Sequence, residues 1–114
     1  MHELSIAESA LGAALDHARQ AGASQIRLLV IRVGALSGVD PEALQSAFAV
    51  ILPGSPAEGA AVQIDEVPAL AYCAGCKQEF EPDTQLVFEC PVCGRLSTEV
   101  RRGRELDLVR LEML

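Results

Sequence analysis

Tryptophan is absent, and one tyrosine and three phenylalanines make aromatic residues only 4% of the 114-residue chain. Proteins that hold single-stranded nucleic acid stack its bases on aromatic platforms, so this scarcity weighs against that class. Excess positive charge is missing too. Nine basic residues face sixteen acidic ones, the net charge is −7 and the isoelectric point is near 4.7. A chain whose main partner is a polyphosphate should carry the opposite balance. There are no long apolar runs: residues 47–52 and 69–74 are the longest, far short of the roughly 18 residues a bilayer span requires. No base precedes Arg19, and Glu3 stands where a secretory signal would want positive charge. The expectation is a cytoplasmic chain with no membrane insertion.

Half of the residues are hydrophobic, enough to build a core in one small domain or two very small lobes. Ser5 and Glu8 have the spacing of a capping box, with Ser5 as N-cap. Ala7, Leu11, Ala14, Leu15 and Ala18 then draw one stripe along a helix, which Gly22 should end. Residues 25–33 read as a strand with apolar side chains on both faces, Ile26, Leu28 and Val30 against Leu29, Ile31 and Val33. This pattern predicts a central strand covered at least in part on each side. Asp40-Pro41-Glu42 is a helix start, with a capping side chain, proline at the first helical position and an acid in the first turn. Leu44, Phe48 and Ile51 follow at helical spacing, and Pro53-Gly54 ends the helix. Residues 61–67 and 105–112 read as strands. The predicted fold class is α+β: a small sheet of about three strands with two helices, plus an inserted zinc-ribbon-like lobe built on four cysteines. Residues 1–70 with 104–114 are expected to form one domain and residues 71–103 the other.

All four cysteines lie in two Cys-x-x-Cys pairs, Cys73/Cys76 and Cys90/Cys93. Cytosolic chains seldom use cysteines for structural disulfides, and two residues between thiolates let both reach one ion from a tight turn. Four thiolates close a tetrahedron with no open position, which suits architecture and not hydrolysis. Zinc and iron both accept such a set. A dithiol redox pair is disfavoured because neither motif lies in a visible βαβ unit. The apolar residues between the pairs, Phe80, Leu86, Val87 and Phe88, are too few to hold a lobe together by burial alone. Bound zinc can supply roughly 10–16 kcal/mol there.

Only two histidines are present. His17, beside Asp16 in the first predicted helix, reads as a solvated or partly buried helical residue. His2 sits next to the terminal amine of Met1, which titrates at roughly 7.7–8.0 and is the easiest amine in the chain to deprotonate. Amine, imidazole and the intervening amides form a compact nitrogen set, with the Glu3 carboxylate at its edge. Such a set suits square-planar or tetragonal Ni(II) or Cu(II). The alternative is a frayed end with an incidental histidine.

Taken in order, Met1-His2-Glu3-Leu4-Ser5, the segment 34–44 (GALSGVDPEAL), the two cysteine knuckles and Gly103-Arg104-Glu105-Leu106 resemble the HypA/HybF family of nickel metallochaperones. The resemblance spans nearly the whole chain. It implies Ni(II) bound transiently by the His2 imidazole, helped by the Met1 amine and the backbone, or the carboxylate, of Glu3. It implies structural Zn(II) held by Cys73, Cys76, Cys90 and Cys93. The implied partners are a HypB-type GTPase and the [NiFe]-hydrogenase large-subunit precursor, with urease a further client in some organisms. Asp40 matches an acidic position considered for nickel, although helix capping accounts for it. Arg95 stands where serine is common, which touches no ligand.

Two other readings compete. Arg101, Arg102 and Arg104 beside the knuckles would suit a zinc-ribbon protein- or nucleic-acid-binding module with no nickel role, although the net charge argues against nucleic acid. A structural adaptor would carry zinc alone. No nucleophile–base pair is visible, so no enzyme is expected. Oligomeric state, a homodimer included, is open at this point.

Overall fold

The computed structural model describes residues 2–82 and 88–114. Leu86 and Val87 of the expected zinc lobe, and Met1 of the expected nickel site, lie outside the described residues. The elements are α1 (His2–Gln20), β1 (Ile26–Gly34), α2 (Pro41–Ile51), β2 (Ala61–Val67), β3 (Leu70–Cys73), β4 (Gln78–Phe80), β5 (Glu99–Arg102) and β6 (Leu106–Met113). No helix among the described residues is long and apolar enough to cross a membrane.

Two three-stranded sheets result, ordered β2-β1-β6 and β4-β3-β5. In the first, β1 pairs parallel with β2 across the α2 connection and antiparallel with β6. The chain therefore leaves after β2, builds the second sheet, and returns to complete the first. That insertion follows the sequence expectation. The second sheet itself was not foreseen, because β3 to β5 are only three or four residues long and carry too little alternation to show a period.

Leu29, Ile31 and Val33 of β1 pack with Ala7, Leu11, Ala14 and Ala18 of α1 and with Leu44 and Phe48 of α2. Alanines along the buried stripe of α1 let it lie close to its neighbours. The expected partial cover on both faces of β1 is met, although both helices contribute to this one cluster and the other face is covered by other means. On the other face Val30 is buried, flanked in the sheet by Gln63 and Arg110, while Arg32 is exposed between Asp65 and Asp107. Long polar side chains on neighbouring strands do there what a helix would do elsewhere.

The start of α1 needs correction. The helix begins at His2, so Ser5 lies inside it and is not the N-cap. The extra turn is held from outside: the His2 ring contacts the Gly38 carbonyl, and the Glu3 carboxylate accepts the Asp40 N–H. The other end is as expected. Ala23 N–H reaches Ala18 O and Gly22 N–H reaches Arg19 O, the paired bonds of a Schellman cap. At α2 the Asp40 carboxylate accepts the Glu42 N–H, and Pro41 opens the first turn.

Exit and return strands cross at the end of β1. The N–H of Gly34 donates to Glu105 O, that of Ala35 to Val67 O and that of Leu36 to Gly103 O. A Cβ on Gly34 would stand 2.1 Å from Gly103 O, so glycine is required for this approach. The Glu105 carboxylate accepts the Gly103 N–H at 2.8 Å.

Candidate metal centres

In the second sheet, β3 delivers Cys73 to a turn that ends at Cys76, and β4 carries the chain away. Residues 90–93 form a second turn of the same shape, in which the Gly94 N–H returns to Cys90 O and the Cys90 N–H to Arg95 O. The residue after each pair takes a left-handed conformation, Lys77 at φ 55° and Gly94 at φ 75°. Glycine meets that requirement without strain, while lysine meets it at some cost. Both turns aim their sulfurs at one point. All four Sγ atoms lie within 4.8 Å of one another. Cys73 and Cys93 are 3.5 Å apart, and Cys76 and Cys90 are 3.9 Å apart. A tetrahedron with Zn–S bonds of about 2.3 Å has sulfur–sulfur edges of about 3.8 Å, so the cluster fits zinc.

The sulfurs differ electrostatically. Cys76 is pushed up to about 12, first by its hydrogen bond with the Cys93 thiol, then by desolvation and the other two thiols. Cys90 is drawn down to about 7, chiefly by the backbone N–H groups of Cys93 and Val92. The turn itself thus favours the Cys90 thiolate, whereas Cys76 is held as a thiol by its neighbours. Arg95 lies over the first knuckle: a Cβ on Gly75 would meet its guanidinium at 2.5 Å. Four thiolates around a divalent ion carry excess negative charge, which this arginine complements. Around the sulfurs the core is small, with Ala71, Cys73, Phe80 and Cys90 buried and Cys76 and Phe88 packed against them.

The second candidate centre lies on different elements. The His2 Nε2 atom is 3.0 Å from Gly38 O and 3.3 Å from a Glu3 carboxylate oxygen. Both neighbours are acceptors, so Nε2 is the ring nitrogen placed to donate to them. The ring is 61% exposed. The Glu3 carboxyl is held below the usual carboxylate range, first by the Asp40 N–H, then by its own N–H, with His2 adding to the effect. The Asp40 carboxylate is occupied with the α2 cap. Sequence reasoning missed the Gly38 carbonyl, a backbone group 36 residues from His2 that no side-chain pattern reveals.

The remaining expectations at single residues find plain places. His17 is exposed on α1, next to an Asp16–Arg19 ion pair. Arg101 stacks over the Tyr72 ring, 4.1 Å from its centroid, and pairs with Glu99. It is therefore an acid-paired surface residue rather than part of an open basic patch.

Residues 1–113 match a family described as hydrogenase/urease nickel incorporation, metallochaperone, HypA. A hydrogenase maturation factor HypA from Chloroflexus aurantiacus is 42% identical over 112 residues, covering 98% of both chains. The corresponding factor from a Picosynechococcus strain is 40% identical over 114 residues and covers all of both. The solution structure of the nickel metallochaperone HypA from Helicobacter pylori superposes with a TM-score of 0.67 at 27% identity, covering 98% of this chain and 97% of that one. A second HypA solution structure gives 0.70 at 28% identity, with coverage of 100% and 97%.

Proposed function

Since the chain belongs to the HypA family of hydrogenase and urease nickel-incorporation metallochaperones, we propose that it captures Ni(II) at its amino-terminal tip. Met1, through its terminal amine, His2 and Glu3 are the proposed ligands. The metal is then passed to the large-subunit precursor during maturation of [NiFe]-hydrogenase, in the cytoplasm and in concert with a HypB-type GTPase. Urease is a second proposed client. The protein performs no catalysis in this reading: it holds and releases its cargo.

The observation that carries the proposal is the anchoring of the His2 ring through Nε2. Nδ1 is the nitrogen nearer the His2 main chain, so it can share one ion with the preceding amide and the terminal amine. The first four N–H groups of a helix have no partner within it. The amides of His2 and Glu3 can therefore be recruited without breaking a helical hydrogen bond. An exposed tip with few ligands releases metal more readily than a closed sulfur cage does. Protons compete for imidazole and amine, so nickel affinity should fall as pH falls.

Zinc is assigned to Cys73, Cys76, Cys90 and Cys93 as an architectural ion. Residues 71–103 are then the zinc-binding domain, and residues 1–70 with 104–114 the nickel-binding domain. The test uses zinc-loaded protein with a native amino terminus and its His2→Ala variant, examined by Ni(II) calorimetry and metal analysis. Nickel binding should collapse while zinc stays near one ion per chain. Undiminished nickel uptake by the variant would refute the assignment. Acetylation of the amine supplies a second lesion that leaves every side chain intact, and it should weaken nickel binding as well.

A further inference from the structure

Arg95 has one end on each cysteine turn. Its carbonyl accepts the Cys90 N–H at 2.8 Å, which fixes its backbone to the second turn. Its guanidinium lies against the first: a Cβ on Gly75 would stand 2.5 Å from Nη1, 3.2 Å from Cζ and 3.4 Å from Cδ. The side chain therefore crosses between the turns and rests on the bare backbone of a glycine. Arg19, Arg101 and Arg110 each pair with a carboxylate, whereas none pairs with Arg95 among the described residues. We propose that Arg95 is a positioning residue for the zinc centre, a cationic clasp that ties the two cysteine turns together and slows loss of the ion. The inference rests on the assignment of zinc to the four cysteines.

Charge and exposure both point to this role. Four thiolates around one divalent ion leave negative charge in excess, and an arginine that bridges the turns opposes it with a planar, permanent cation. Cys73 and Cys90 are buried, Cys76 is half-buried and Cys93 is exposed. A competing ligand reaches the ion most easily by displacing one of the two outer sulfurs, one from each turn. Arg95 follows Cys93 by two residues, and its guanidinium sits on the residue before Cys76. It thus holds the turns together beside both weak points, where the small core of Ala71, Phe80 and Phe88 gives little other restraint.

Gly75 belongs to the same device. It does not take a left-handed conformation, so its backbone accepts a larger residue. The nearest atoms a methyl group would meet there all belong to the flexible end of Arg95. Glycine at this position therefore serves the arginine and not the turn. A serine at position 95 would be too short to reach across.

The experiment mixes zinc-loaded full-length protein with excess pyridylazoresorcinol and follows zinc transfer by absorbance. Metal analysis and circular dichroism first establish that each variant is loaded and folded. Arg95→Gln and Gly75→Ala should each carry close to one zinc ion per chain and lose it roughly tenfold faster than the wild type. Arg95→Lys, which keeps the charge and loses the fork, should fall between wild type and Arg95→Gln. The gap between wild type and Arg95→Gln should narrow as salt is raised. In an Arg95→Ser background Gly75→Ala should add little, since the methyl group then displaces no cation. Release that is equally fast in wild type and Arg95→Gln overturns the clasp and leaves the zinc assignment in place. So does a lysine no better than glutamine, or full additivity of Gly75→Ala with Arg95→Ser. A wild type that carries no zinc overturns that assignment, and the clasp with it.

Discussion

Glu105 illustrates how a single side chain can matter without touching either candidate metal centre. Its carboxyl is held below the usual range, first by its own N–H, then by the Gly103 N–H, with Arg32 and Arg102 contributing. A carboxyl with a depressed folded-state pKa adds stability that is present above its ordinary value of 4.5 and is lost as pH falls through the lowered value. Replacing it by glutamine should lower the melting temperature at neutral pH, and the gap to the wild type should close in acid below pH 4.5. A gap that is constant with pH would mean that the carboxylate charge has no part in the crossing. The four cysteines are legible as a metal-binding set because their type and spacing are local facts, whereas His2 is singled out chiefly by the family resemblance. The role of the Gly38 carbonyl is not legible, since it depends on His2 brought in from 36 residues away.

Among the elements, the helices and the long strands follow the periodicity of their residues closely. The strand expected at 61–67 is observed over Ala61–Val67, and the helix announced by Asp40-Pro41-Glu42 runs Pro41–Ile51. The exceptions have a common cause. The first turn of α1 exists because the loop before α2 supplies partners for His2 and Glu3, which overrides the local preference for a cap at Ser5. The short strands β3, β4 and β5 exist because the two cysteine turns must converge. The crossing of Gly34 and Gly103 makes the sharpest prediction at this level. Gly34→Ala forces a methyl group into a backbone carbonyl and should destabilise the zinc-loaded protein by about 3 kcal/mol or more. Urea denaturation followed by circular dichroism measures it, and a loss under about 1 kcal/mol would show that the strands can separate there without harm.

The molecule as a whole is elongated, with extents of 54 × 27 × 17 Å and a radius of gyration of 17.5 Å, against about 13 Å for a compact domain of this length. The shape reflects two cores, one built from two helices and a sheet, the other from four sulfurs and two phenylalanines. Removing zinc with a chelator under reducing conditions should therefore act unequally. Amides of β3 should lose protection from exchange, while those of α1 and α2 keep it and helical circular dichroism barely changes. Loss of helical signal together with zinc would show that the two cores do not stand independently. Residue type and spacing were enough to reveal the α+β class and the inserted sulfur site, because periodicity, turn chemistry and ligand spacing act over a few neighbouring residues. Only folding in three dimensions established which nitrogen of His2 faces the Gly38 carbonyl, where α1 begins, and that the exit and return strands cross at Gly34. Each of those depends on contacts between segments far apart in the chain, and no local pattern encodes them.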